Sequence, residues 1–133
     1  MKKVIDKLAW LMIVDGKLLN ARSKDKSLFY LPGGKREIGE SDQQALIREI
    51  KEEISVDIIA DSIQYAGTFE APADGEKAEA VVKLTCYFAD FEGQLCAQSE
   101  IAEIAFIDFE NKSRCSLGSI QVMQWLKSQN LIQ

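Results

Sequence analysis

The sequence of 133 residues contains no histidine. This absence excludes Ser-His-Asp and Cys-His catalysis, histidine-ligated zinc, and phosphohydrolases whose sites are built on histidine clusters. Any proton transfer that the protein catalyses must therefore use a carboxylate, a lysine, a tyrosine or water.

Cysteine is also scarce, since the chain has only Cys86, Cys96 and Cys115 and no C-x-x-C pair. An odd number of cysteines without such a pair disfavours both a disulfide framework and a structural zinc site. We expect three reduced thiols that fill space in the fold, which indicates a cytoplasmic protein.

Long apolar segments and excess positive charge are likewise lacking. The longest apolar stretch, residues 8–14, is too short to cross a bilayer, and no apolar core of a secretory signal follows the first lysines. The formal net charge of −5 disfavours a nucleic-acid-binding protein, which needs a basic surface. The length predicts one domain over residues 1–133. An acidic protein that binds phosphates would need a cation between the two.

The hydrophobic pattern predicts several strands and two helices. Strands are expected at residues 7–14, 17–22, 63–71, 80–91 and 101–107. Asp15-Gly16 predicts a hairpin turn between the first two strands. Ser41 and Gln44 form a capping-box pattern at the start of the first helix, and the second helix is expected at residues 117–131. The absence of a regular βαβ rhythm indicates an α+β fold or a mixed sheet.

The first predicted helix ends near Ile54 and carries three glutamates on one face. Glu49, Glu52 and Glu53 stand at i, i+3 and i+4, so their carboxylates are neighbours at the rim of the apolar face. Each like-charged pair destabilises a helix by roughly 0.2–0.5 kcal/mol, and bound Mg²⁺ would reverse that repulsion. The alternative is an ordinary solvated face on which Arg48 pairs with Glu52.

The segment before this helix favours the metal. Gly33 and Gly34 allow the backbone to approach a ligand closely, and Glu40 adds a carboxylate. Gly34 and Gly39 have the spacing that begins a phosphate-binding P-loop, but Glu40 occupies the position where that loop requires lysine. The P-loop is therefore excluded, and a glycine-rich turn followed by a carboxylate-rich helix remains.

Residues 34–56, GKREIGESDQQALIREIKEEISV, resemble the Nudix box G-x5-E-x7-R-E-U-x-E-E-x-G-U, in which U is an apolar aliphatic residue. The matching positions are Gly34, Glu40, Arg48, Glu49, Ile50, Glu52, Glu53 and Val56. Ser55 stands where the family has glycine, and a left-handed backbone there would cost roughly 1–2 kcal/mol. The chain is thereby identified as a member of the Nudix hydrolase family, which implies an α+β fold with an α/β/α sandwich around a mixed β-sheet.

The resemblance implies hydrolysis of a diphosphate bond in a nucleoside diphosphate linked to another moiety, such as a nucleotide sugar, ADP-ribose or an NTP. It implies that Glu49, Glu52, Glu53 and the carbonyl of Gly34 bind Mg²⁺, with Mn²⁺ as the alternative. Arg48 would orient the carboxylates. The metal would neutralise the diphosphate and activate a water molecule.

The general base and the substrate contacts are less sharply implied. Glu53 could act as the base, but Glu103 is similar in position to a glutamate that family members use outside the box, and Glu100 is the second choice there. The residues expected to contact the substrate, or to brace the loop beside it, are Arg22, Lys35, Arg36 and Glu40. An ordinary surface role is the alternative for each of these side chains.

Aromatic residues and one proline give weaker signals. Period-two alternation places Tyr65 and Phe69 on one side of their strand. Tyr30, Phe69 and Tyr87 could each stack on a nucleobase, although packing in the core or on the sheet is the commoner use. Pro72, after the box, resembles a feature of ADP-ribose-cleaving members, but a proline is also an ordinary turn residue.

Three functions therefore stand side by side. The first is a hydrolase of nucleotide sugars or related nucleoside diphosphates, and the second is a nucleoside triphosphate pyrophosphatase. The third is a catalytically weak Nudix-like nucleotide-binding or regulatory domain, which the complete set of box carboxylates disfavours. The expected partner is a small nucleotide substrate, without membrane or nucleic acid, and a homodimer fits the resemblance because many relatives are dimers.

Overall fold

The computed structural model describes residues 3–74 and 79–133. Its strands are β1 (Val4–Leu11), β2 (Ile13–Val14), β3 (Lys17–Ser23), β4 (Gly33–Gly34), β5 (Asp57–Ile58), β6 (Gln64–Pro72), β7 (Val81–Phe88), β8 (Phe91–Glu92) and β9 (Ile101–Ile107). Its helices are α1 (Asp42–Ile54) and α2 (Leu117–Ser128), and 3₁₀ turns cover Ala60–Ser62 and Phe109–Arg114. Among these residues, no helix has the length and apolar character needed to cross a bilayer.

The strands form mixed sheets between the two helices. In the largest sheet, of order β4-β1-β7-β6, β1 runs parallel to β7 and antiparallel to β4. A second sheet has the order β2-β3-β9, and β5 pairs with β8. Successive residues of β1 face opposite sides, so that Leu8 and Trp10 join the core under α1, whereas Ala9 and Leu11 join the core under α2. The predicted α+β class and α/β/α sandwich are confirmed.

Helix α1 begins and ends where the sequence predicts. The Ser41 hydroxyl accepts the Gln44 N–H at 3.2 Å, and the Gln44 side chain accepts the Ser41 N–H at 2.9 Å, which completes the capping box. The helix ends at Ser55, whose φ of 66° lies in the left-handed region that the family's glycine adopts without strain. Ser55 therefore carries the local strain that the sequence predicts.

Two predicted strands have other bounds than expected: β1 begins at Val4 and ends at Leu11, and β7 ends at Phe88. The strand at residues 7–14 is divided at Met12, whose carbonyl accepts the Leu19 N–H at 2.9 Å, so β1 and β2 join different sheets. The strand at residues 80–91 ends at Phe88, because the Ala89 carbonyl leaves the ladder and accepts the Trp10 indole N–H at 3.0 Å. The first end is determined by Leu19 in the neighbouring strand, and the second by Trp10, which lies 79 residues away in the sequence.

Three further expectations need correction. Tyr65 and Phe69 do not share a side, because a register shift between Tyr65 and Gly67 turns Tyr65 toward Tyr87 and leaves Phe69 packed on Trp125 of α2. The second helix ends at Ser128, where a left-handed Asn130 follows, and not at residue 131. All three cysteines are free, but Cys96 is exposed and does not fill space in the core.

Candidate active site

Arg48 is the centre of an ion-pair network that joins α1 to the loop before it. Its guanidinium donates to both carboxylate oxygens of Glu40, at 2.7 and 2.8 Å, and to Glu49 Oε1 at 2.6 Å. It also donates to the Lys35 carbonyl at 3.1 Å and lies 3.4 Å from a carboxylate oxygen of Glu52. The hydrogen bonds from Arg48 are the main cause that lowers the pKa of Glu40 to about 2. Glu40 therefore braces Arg48, and Arg48 positions the helix carboxylates.

Gly34 provides the space that the Glu49 carboxylate occupies. A Cβ built on Gly34 would lie 2.5 Å from Glu49 Cδ and closer still to Oε2, which no side chain can do. Beside it, the Gly33 N–H donates to Glu53 Oε1 at 3.0 Å, and a Cβ on Gly33 would overlap the Leu8 carbonyl of β1. The two glycines of β4 thus bring the backbone against two carboxylates of α1.

Glu53 is the half-buried member of the carboxylate group. Burial raises the pKa of Glu53 to about 7, and the negative charges of Glu49 and Glu52 act in the same direction. The Gly33 N–H and the Lys7 ammonium oppose this rise and favour the charged form. The charges of Glu49 and Glu52 therefore oppose the ionisation of Glu53, and a cation beside Glu53 would relieve that repulsion.

The carboxylates of α1 and the carbonyl of Gly34 are chemically suited to bind a divalent cation. Carboxylates together with backbone carbonyls are the oxygen ligands that Mg²⁺ and Mn²⁺ prefer, and the missing side chain of Gly34 leaves the approach open. Within residues 3–74 and 79–133, however, no three Asp, Glu or Cys side chains already converge as a ready-made cation site. The Glu52 side chain is 55% exposed, whereas Arg48 and Gly33 hold Glu49 and Glu53.

A cavity of about 660 Å³ opens beside these carboxylates, with Gly33, Gly34 and Glu53 at its edge. Ile5 of β1 and Val82 and Leu84 of β7 form an apolar floor on the face that α2 covers. The basic residues that line it are Lys3, Lys7, Lys26 and Lys35. In a chain of net charge −5, this concentration of lysines suits an anionic substrate.

The predicted substrate residues divide into two groups. Lys35 lines the cavity, as predicted. Arg22 and Glu103 do not line it, and they pair with each other across β3 and β9, with 2.9 Å between Arg22 Nε and Glu103 Oε1. Arg36 also lies outside, where it forms an ion pair with Asp42.

The aromatic candidates divide in the same way. Tyr30 lines the cavity. Phe69 packs on Trp125, and the Tyr87 hydroxyl donates to Asp42 at 2.6 Å, so both have packing partners elsewhere. Of the three, Tyr30 is therefore the one placed to meet a ligand in this cavity.

The segment that precedes Glu100 lies against the end of α1, a contact that the sequence did not predict. The Gln98 N–H donates to the Glu53 carbonyl at 2.8 Å, and the Ser99 hydroxyl donates to the Glu52 carbonyl at 3.4 Å. Glu100 follows Ser99 directly in the sequence, and its carbonyl accepts the Lys24 N–H at 2.8 Å. The carbonyl groups of the last helical turn have no partners within the helix, and the Gln98 and Ser99 donors satisfy a pair of them.

Comparison with known proteins gives matches over most of the chain. A family model described as the NUDIX domain matches residues 8–126. An ADP-ribose pyrophosphatase from Methanocaldococcus jannaschii is 32% identical over 113 residues, which cover 83% of this chain and 65% of that protein. The chain thus spans less than two thirds of the length of this curated relative.

Solved structures show the same fold. The Escherichia coli ORF135 protein superposes with a TM-score of 0.73 at 24% identity, over 97% of this chain and 92% of that chain. A bifunctional NMN adenylyltransferase/ADP ribose pyrophosphatase from Francisella tularensis, complexed with AMP and a Mn ion, has a TM-score of 0.71 at 21% identity. That match covers 97% of this chain and 42% of the other.

Proposed function

Because the chain belongs to the NUDIX domain family, we propose that it is a metal-dependent pyrophosphohydrolase that acts as one domain over residues 1–133. Its substrate would be a nucleoside diphosphate linked to another moiety, and the bond cleaved would be the diphosphate. The observation that carries the proposal is the packing of the Glu49 carboxylate on Gly34, with Glu53 beside it at the edge of a lysine-lined cavity.

The proposed cofactor is Mg²⁺, and Mn²⁺ is the alternative. Glu49, Glu52 and Glu53, with the carbonyl of Gly34, would hold it, and Arg48 would keep Glu49 in place. When bound, the metal neutralises the diphosphate and lowers the pKa of a bound water molecule. Support comes from the oxygen-only donor set and from the repulsion among the three carboxylates.

The chain's own residues supply the remaining roles. Lys7 and Lys35, next to the carboxylate end of the cavity, would bind the phosphate oxygens. Glu53 is the first candidate for the base that takes a proton from the attacking water, because its carboxylate lies at the edge of the cavity. Glu100 is the second candidate, and Glu103 is less favoured because Arg22 already pairs with its carboxylate outside the cavity. Among variants of the last two residues, Glu100→Gln is expected to lower kcat more than Glu103→Gln.

ADP-ribose is the first substrate to test. The Methanocaldococcus jannaschii relative carries that activity in its name, and Pro72 at the end of β6 follows the box as in ADP-ribose-cleaving members. A nucleoside triphosphate pyrophosphatase is the second candidate. A regulatory domain without catalysis is disfavoured, because the carboxylates and Arg48 form an intact network.

The test is a substrate panel with Mg²⁺ and with Mn²⁺, containing ADP-ribose, sugar nucleotides, dinucleoside polyphosphates and NTPs. Glu52→Gln is expected to lower kcat by at least about 100-fold, since losing even an outer-shell partner of a metal costs about 10–100-fold. Glu110→Gln, an exposed glutamate in the Phe109–Arg114 turn, is the matched control and should retain full activity. Full activity of Glu52→Gln would refute the mechanism, and nucleotide binding without turnover on any substrate would favour the regulatory domain.

A further inference from the structure

The cavity has two chemically different ends. Gly34 and Glu53 lie at one end, and Asp74 lies at the other, just beyond the end of β6. Strand β1 runs past both ends. Its residue Leu8 pairs with Gly34 at the first end, and its residue Val4 pairs with Val81, which in turn pairs with Pro72 near the second end. Four residues of a strand span about 13 Å, so the two ends are separated by about the length of a nucleotide.

At the far end, the carboxylate of Asp74 can accept more hydrogen bonds than it receives within the protein. Both oxygens of Asp74 accept the N–H of Leu117, the first residue of α2, at 3.2 and 3.3 Å. A carboxylate has about four lone-pair positions, and this one N–H leaves most of them available. Tyr30 lines the same cavity as Asp74, and its pKa is raised first by burial and then by the negative charges of Asp74 and Asp25.

The lining of the cavity combines an apolar floor with polar side chains, among them Lys3, Ser116 and Ser119. Ile5, Val82 and Leu84 form the floor, and Tyr30 lines the same space. Gly118 lets the first turn of α2 approach closely, since a Cβ there would lie 2.9 Å from Leu84 Cδ1. The apolar floor suits the face of a planar ring, and the polar side chains beside it suit the polar edge of such a ring.

We propose that Asp74 is a specificity-determining residue that accepts a hydrogen bond from the exocyclic amino group of the substrate's purine base. A negative carboxylate attracts such donors, which favours a base that has an amino group over one that lacks it. The inference rests on the proposed function in one respect, which is that the phosphates occupy the end with Gly34 and Glu53.

The experiment measures binding and does not require turnover. Two pairs of nucleoside monophosphates that differ by one amino group, AMP with purine riboside monophosphate and GMP with IMP, are titrated by calorimetry with Mg²⁺. Because a hydrogen bond to a charged group is strong, the wild-type protein should bind the nucleotide with the amino group about tenfold or more tightly than its partner in one of the pairs. The pair that shows this difference identifies the base. Equal binding within both pairs, or no binding, overturns the inference.

Three variants separate base recognition from the cap that Asp74 places on α2. Asp74→Ala removes both, and it is expected to reduce the preference to about onefold. Asp74→Asn keeps an acceptor for the Leu117 N–H, so its Tm should match wild type while the preference still falls. Asp61→Asn, an exposed acid in the Ala60–Ser62 turn, is the control. If Asp74→Asn retains the full preference and Asp74→Ala weakens both nucleotides equally, Asp74 is only a cap and the inference is overturned.

The outcomes for the two proposals are distinguishable. Turnover on the substrate panel with no amino-group preference would leave the proposed function intact and refute the role of Asp74. An amino-group preference that depends on Asp74, without turnover on any substrate, would support base recognition and refute the hydrolase.

Discussion

Gly34→Ala is the sharpest test of how the backbone shapes the proposed metal site. The new Cβ would lie 2.5 Å from Glu49 Cδ, and 3.4 Å is the lower limit of an ordinary contact, so this carboxylate must move by about 1 Å. The movement also strains the 2.6 Å hydrogen bond from Arg48 to Glu49. Misplacement by about 1 Å costs on the order of 100-fold in rate, and we expect kcat to fall by about that factor. Mn²⁺ affinity, measured by electron paramagnetic resonance, should fall with it.

Gly39→Ala provides the opposite control in the same loop. Gly39 has a φ of 86° and no atom within 4 Å of a Cβ, so alanine there costs roughly 1–2 kcal/mol of stability without touching the carboxylates. We expect a lower Tm with nearly unchanged kcat and Mn²⁺ affinity. Gly34 does not have a positive φ, so Gly34→Ala should lower kcat and Mn²⁺ affinity with little change in Tm. Wild-type kcat and Mn²⁺ affinity in Gly34→Ala would refute the reasoning.

Three further predictions follow from the network and from the end of α1. Arg48→Lys loses the paired contact with Glu40, and kcat and Mn²⁺ affinity should fall by about 10–100-fold; unchanged values would show that Arg48 does not position the carboxylates. The pKa of Glu40 is lowered from 4.5 to about 2, so the stability that it contributes is present above pH 4.5 and is lost as the pH falls toward 2. The Tm difference between wild type and Glu40→Gln should shrink over that range, and a difference independent of pH would contradict this. Ser55→Gly relieves the left-handed strain and should raise the free energy of unfolding by about 1 kcal/mol in urea titrations, with kcat unchanged; a lower value would show that the strain is absent.

The sequence predicts best what depends on neighbouring residues. The capping box of Ser41 and Gln44, the end of α1 at Ser55 and the hairpin at Asp15-Gly16 are all determined within a few positions, and the structure confirms each one. The grouping of the three box carboxylates follows from helical spacing in the same way.

Features that depend on distant partners could not be predicted. The register shift in β6 reverses Tyr65 relative to Phe69, and period-two alternation gives no sign of it. The pairing of Arg22 with Glu103 depends on the register of β3 and β9. At the far end of the cavity, Asp74 accepts a hydrogen bond from the first residue of α2, and no local sequence motif predicts that contact.

The parallel pairing of β1 with β7 has a consequence for how the protein folds. Helix α1 can form early from local contacts, but the Trp10 indole meets its Ala89 partner across 79 residues of chain. Closing so long a loop loses chain entropy before any contact compensates for it, and contacts of this kind slow folding. The carboxylates can therefore be present on a helix before the cavity has a floor, since that floor consists of β1 and β7 side by side. Substrate affinity should consequently appear in the last phase of refolding, together with the burial of Trp10.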